Sequence, residues 1–131
     1  MDKIKEQLKE ILAENQDMHQ RIEEENWDVK YIKESDLLIM GTKFPENSFY
    51  FYVNGSGVMI RIDDKNKIYG FAIENTKKFI KNNAEIGWLF YPIVHPIKFF
   101  WMYLLWRGID RIKRITAVTD YIAGEACFIN S

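Results

Sequence analysis

The stretch from Gly87 to Trp106, GWLFYPIVHPIKFFWMYLLW, is a nearly unbroken block of large aromatic and aliphatic side chains. Whatever covers it decides what the chain becomes, because a block of this kind is a membrane segment, a core or a partner surface. It is long enough to span a bilayer, carries rings near both ends (Trp88, Tyr91; Tyr103, Trp106) and is followed by arginines. Against that, Lys98 near its centre costs about 2.5–3.5 kcal/mol on the insertion scale, and the nine Leu, Ile, Val and Phe residues return about 0.3–0.6 kcal/mol each. The two nearly cancel, and Pro92, His95 and Pro96 then weigh against a simple span. A bent, interfacial or re-entrant insertion stays open.

Pro96 suits the first turn of a helix, so the block divides into a bent lead-in, Gly87 to His95, and a helix running from Pro96 past Gly108. Beyond it, Ile109, Ile112, Ile115, Thr119 and Ile122 recur at helical spacing, and Gly124 reads as the residue that stops the helix. A short final strand through Cys127 and Ile129 is a further option.

The N-terminal region from Met1 to Asn26 has no Gly or Pro and predicts one helix. Ile4, Leu8, Ile11, Asn15, Met18 and Ile22 fall in alternating steps of four and three, a heptad pattern with Leu8, Asn15 and Ile22 at a and Ile4, Ile11 and Met18 at d. Asn at an a position fixes register in dimers, so Leu8, Ile11, Asn15, Met18 and Ile22 are a candidate self-association seam. The same stripe, widened by Leu12, also suits packing on the chain's own domain. Asp17 and Arg21 are expected as an outer-surface pair and Glu23-Glu24-Glu25 as a solvated end.

From Trp27 to Asn75 the period shortens to β runs separated by turn chemistry: Val29 to Ile32, Asp36 to Met40, Ser48 to Val53, Val58 to Ile62 and Ile68 to Ile73. Short connections between them imply antiparallel neighbours. Asn75 reads as the N-cap of two helical turns, Thr76 to Asn82. Three features carry a resemblance: a first strand Asp36-Leu37-Leu38-Ile39, a strand opening at Gly57-Val58 and ending at Asp63, and the run Lys67-Ile68-Tyr69-Gly70-Phe71-Ala72-Ile73-Glu74-Asn75. Through them, residues 36–79 resemble a family of small uncharacterised bacterial β-meander domains. The resemblance implies a meander closed by a helix, brings no activity or ligand, and leaves both ends of the chain unmatched.

Catalytic constellations are hard to assemble from these residues. His19 and His95 lie in different elements, and His95 sits in a Pro-x-x-His-Pro setting that suits a structural loop. Asp63-Asp64 is turn chemistry. Asn54-Gly55-Ser56-Gly57 has no following helix N-terminus and no suitably spaced Lys, so it is no phosphate cradle. Cys127, the one cysteine, has no basic neighbours and reads as a buried thiol, which also excludes an internal disulfide. No metal and no cofactor are expected. Arg107, Arg111 and Arg114 form a basic stripe on one helix face, but Asp110 offsets it. The net charge of −1 gives no general pull toward nucleic acid, which is not expected as a partner. The N-terminus lacks the apolar core of a signal peptide, so a cytoplasmic protein is expected.

The expected architecture is α+β, one domain over residues 1–131. It has an N-terminal helix (1–26), an antiparallel meander of three or four strands (29–75), a short helix (76–83) and an aromatic, then amphipathic, helical segment (87–124) packed on the sheet. Aromatic residues make up 15% of the chain, more than a core of this size needs, and such rings dominate interface energetics. The expected function is therefore non-enzymatic: an interaction or regulatory protein, an inhibitor or adaptor that binds a protein partner through Phe99, Trp101, Tyr103 and Trp106, with a homodimer as one form. A peripheral membrane module built on the 87–106 block and its arginines is the alternative. An enzyme whose site is scattered through the sequence is the third.

Overall fold

The computed structural model, which describes residues 2–94 and 111–128, is an α+β fold built on an antiparallel sheet. Helices α1 (Asp2–Ala13) and α2 (Met18–Glu24) lead into β1 (Asp28–Ile32), a 3-10 turn (Lys33–Ser35), β2 (Leu37–Gly41), β3 (Phe49–Tyr52), β4 (Val58–Ile62) and β5 (Ile68–Glu74). Helices α3 (Thr76–Asn82), α4 (Ala84–Gly87), α5 (Tyr91–Val94) and α6 (Arg111–Phe128) follow. Among the described residues, the positive-φ positions other than glycine are Asn26, Asp36, Asn66 and Asn75, and each stands in a turn or at an element boundary. Only Asn and Asp tolerate that conformation readily among side chains of this size.

The single N-terminal helix is corrected to two. The chain breaks at 14–17 because the Asn15 side chain is recruited elsewhere. Its Nδ2 donates to the carbonyls of Ile11 and Asn66, both at 2.6 Å, and its Oδ1 accepts from the Ile68 amide at 3.0 Å. Arg21 is not on the outer surface with Asp17; it is 8% exposed and donates to the Ile68 carbonyl at 2.6 Å and to Asn15 Oδ1 at 3.2 Å. Nor is Glu25 merely solvated, since it accepts from Arg21 Nε at 3.2 Å and Trp27 Nε1 at 2.9 Å. Helix α2 ends with Asn26 left-handed and the Trp27 amide bonded back to the Ile22 carbonyl at 3.1 Å, a Schellman closure. The closure drops Trp27 into the core, fully buried, 5.7 Å from the Phe71 ring.

The sheet order is β1-β2-β5-β4-β3. Strands β3, β4 and β5 are a meander, but the expectation of a simple meander is corrected at β2, which pairs with β5 rather than β3. Residues 42–48 therefore cross the ends of β5 and β4. The registers align Val29, Met40, Phe71, Ile60 and Phe51 in one row across the sheet, and Tyr31, Leu38, Ile73 and Val58 in the next. Leu38, Met40, Val58, Ile60 and Ile73 are fully buried, and burying a side chain of this size contributes about 1.5–3 kcal/mol.

These rows share one core with Leu8, Ile11, Met18 and Ile22 of the first two helices, Phe79 of α3, Phe90, Val94 of α5, and Ile115, Val118 and Ile122 of α6. The candidate seam is corrected accordingly: Leu8, Ile11, Asn15, Met18 and Ile22 are all buried within the chain. Capping of α3 also differs from expectation. Asn75 makes no side-chain cap, and Asp36 acts from just before the start of β2, beside the end of β5: its carbonyl accepts from the Thr76 amide at 3.1 Å and its carboxylate from the Lys77 amide at 3.3 Å. Helix α6 does not stop at Gly124 but continues to Phe128, so Cys127 is helical. No helix among the described residues is long and apolar enough to cross a membrane.

Candidate interaction surface

The second face of the sheet is built from the alternate residues. Lys30, Ile39, Ala72, Met59 and Tyr52 form a row across all five strands, and Asp28, Gly41, Gly70, Arg61 and Tyr50 form the next. Two adjacent glycines leave a hollow in that second row, and the crossing segment 42–48 fills it with Phe44. A Cβ on Gly70 would lie 2.7 Å from Phe44 Cε1, and one on Gly41 2.9 Å from the same atom. The Phe44 and Tyr50 rings meet edge to face with centroids 6.3 Å apart. Arg61 lies over both, 5.2 Å from the Phe44 centroid and 4.7 Å from that of Tyr50, and its Nε donates to Ser48 Oγ at 2.8 Å. Burial pushes the Tyr50 hydroxyl pKa up, and the charge of Arg61 opposes the rise.

Tyr52 hangs over the outermost strand and is 53% exposed; its hydroxyl reaches Glu74 of β5 at 3.5 Å, across the buried Met59 of β4. The arrangement is an arginine fixed between rings beside a half-exposed tyrosine, on a sheet face where Ile39 is half-buried. Tyr, Trp and Arg are the residues enriched where binding energy concentrates. Reading the sequence for motifs missed Ile39, Phe44, Tyr50, Tyr52 and Arg61. The signal was the Phe-Tyr-Phe-Tyr alternation of 49–52, which puts both tyrosines on one face and both phenylalanines on the other.

Phe99, Trp101, Tyr103, Trp106 and Arg107 lie outside the described residues, as do His95 and Ile129. The lead-in of the aromatic block is divided between roles: Phe90 and Val94 are buried, while Trp88 is 50% exposed. Arg111 opens α6. Arg114 is drawn into the fold, half-buried with Nε donating to the Leu89 carbonyl at 2.7 Å, and burial lowers its pKa. His19 sits 3.5 Å from Asp120 on an exposed surface. The Asn54–Gly57 turn is pinned by Tyr121, whose hydroxyl accepts from Asn54 Nδ2 at 3.3 Å. With α3 it borders a polar cleft of about 320 Å³ that includes Glu74, Lys78 and Asn82. Among the described residues no group of three or more His, Cys, Asp or Glu is placed to hold a metal ion.

Asp63 is a turn residue with a measurable consequence. Burial alone would raise its pKa, but the Lys67 and Lys65 amides at 3.0 and 2.9 Å, the Tyr69 hydroxyl at 2.8 Å and the Lys67 charge together hold it below the usual carboxylate range. A depressed folded pKa means that the unfolded chain takes up this proton first. The stabilisation is complete above the unfolded value of about 3.9 and is lost as pH falls below it through the folded value. The urea midpoint of the wild type is thus expected to fall between pH 6 and pH 3 by more than that of Asp63→Asn. Glu25, also depressed, leaves a residual slope in the variant. Parallel profiles for the two proteins would remove Asp63 from the acid response.

No protein-family model, no curated protein and no solved structure matches the chain.

Proposed function

We propose that the chain is a non-enzymatic interaction or regulatory protein that binds a protein partner through an aromatic surface. The observation that carries this reading is Arg61 held between Phe44 and Tyr50 beside the half-exposed Tyr52. A guanidinium already ordered by two rings loses little freedom on binding, and a guanidinium suits a carboxylate or carbonyl of the partner. Trp88 is a further exposed ring, and Phe99, Trp101, Tyr103 and Trp106 of the 87–106 block belong to the same proposal. Two of the described acids, Asp36 and Asp63, have scaffold duty, engaged by backbone amides and tyrosine hydroxyls. The membrane-surface alternative is weakened because Arg114, one of the arginines it uses, is tied to the Leu89 carbonyl.

The test is affinity capture from the native host with wild type, Arg61→Ala and Ile39→Lys, each checked for folding by circular dichroism. Calorimetry with the purified partner follows. Removing an anchor of this kind typically costs at least about 2 kcal/mol, so Arg61→Ala is expected to weaken binding about 30-fold. A partner that binds both variants as tightly as wild type does not use this face.

A further inference from the structure

We propose that β3 pairs with β3 of a second copy of the chain, joining two sheets edge to edge. The Val53 amide bonds the Val58 carbonyl at 2.9 Å, which makes 53 and 58 a hydrogen-bonded pair. Antiparallel pairs alternate, so Phe51 and Phe49 direct their backbone groups at β4, and Tyr50 and Tyr52 direct theirs away from it. Among the described residues no strand lies beyond β3. The outward groups are thus the N–H and C=O of Tyr50 and Tyr52, placed symmetrically about Phe51.

That symmetry makes the strand its own complement. A two-fold axis through Phe51 sets Tyr50 opposite the second copy's Tyr52 and Phe51 opposite its counterpart, with Phe49 facing Val53. Every outward donor meets an outward acceptor, and a shift by one residue would match outward groups with inward ones. Charge separates this edge from the other. Strand β3 is Phe-Tyr-Phe-Tyr, without the lysine or proline that usually guards an edge. Strand β1 is Asp-Val-Lys-Tyr-Ile, and the same operation there brings Lys30 against Lys30. Phe49 is 47% and Tyr52 53% exposed, on opposite faces of the strand, and a second copy covers both. Because the axis stands perpendicular to the sheet, the two Arg61 clusters finish side by side on one continuous face. Four residues make a short contact, so the association is weak, in the micromolar range.

Light scattering over a concentration series reads the outcome. Wild type is expected to rise from 15.7 kDa toward twice that mass as concentration increases. Tyr52→Pro deletes an outward N–H that the protein's own sheet does not use, and Tyr52→Lys sets two charges beside the axis. Both are expected to stay monomeric, while Ile39→Lys, distant from the edge, dimerises like wild type. If Tyr52→Pro fails to fold, Tyr52→Lys alone decides. A wild type of 15.7 kDa at every concentration, or a dimer that persists in the folded Tyr52 variants, overturns the proposal. Neither result bears on capture of a partner by the Arg61 face.

Discussion

Asn15→Leu is expected to lower the stability of the protein by about 3–5 kcal/mol, a large share of the total for a domain of this size. The buried amide uses its full capacity: two donors to the Ile11 and Asn66 carbonyls, and one oxygen shared by the Ile68 amide and Arg21. Leucine has the same branched outline but is larger, and a methyl group cannot stand 2.6 Å from the Ile11 and Asn66 carbonyls as the amide nitrogen does, so steric strain adds to the lost hydrogen bonds. What remains behind is a strand N–H, two carbonyls and one guanidinium donor with fewer partners, in a place where Asn15 is 4% exposed. Each buried group left without a bond costs about 1–3 kcal/mol, and Arg21 is partly spared by Ile68 and Glu25. If Asn15 instead lay in a coiled-coil seam, leucine would tighten a dimer and raise the unfolding midpoint. Urea denaturation with light scattering separates these outcomes: an early midpoint on a variant that associates no more than wild type supports the buried network, and a late midpoint on a variant that associates more tightly than wild type opposes it.

That reversal shows what could be read from the chain and what could not. The strands were legible because alternation at Val58, Ile60 and Ile62 and turn chemistry at Asn54–Gly57 and Asp63–Lys67 are local signals. The break in the N-terminal helix was not. Steps of four and three through Asn15 fit a continuous helix equally well, and the groups that recruit the side chain, Asn66 and Ile68, are more than fifty residues away. The same distance problem hid the cap on α3, supplied by Asp36 from forty residues upstream of Thr76. It also hid the interaction face. Arg61 looks like an ordinary polar strand position until the registers bring Tyr50 beside it and the crossing segment lays Phe44 over Gly70. Phe99, Trp101, Tyr103 and Trp106 stand out in the sequence by ring content alone, and of the block's described residues Trp88 is exposed while Phe90 is buried.

Gly70→Ala is expected to cost about 3 kcal/mol, at the upper end for one added methyl in a packed site. The new Cβ would lie 2.3 Å from the Met40 carbonyl oxygen, and 2.7 and 2.9 Å from Phe44 Cε1 and Cζ. A flexible side chain could give way at those distances, but the Met40 carbonyl belongs to β2, which is paired on both sides. Moving it disturbs the ladders to β1 and β5 together. Gly55→Ala is the matched control: its Cβ has nothing within 4 Å, so its effect is expected to stay within about 0.5 kcal/mol. The displaced Phe44 adds a second readout, because the ring that holds Arg61 loses its seat. Gly70→Ala should therefore alter the near-ultraviolet dichroism of the Phe44–Tyr50 pair and weaken partner binding even at temperatures where the fold persists. Unfolding curves that coincide for the two alanine variants would mean that the hollow can widen without cost, and the Arg61 cluster would then not depend on the paired glycines.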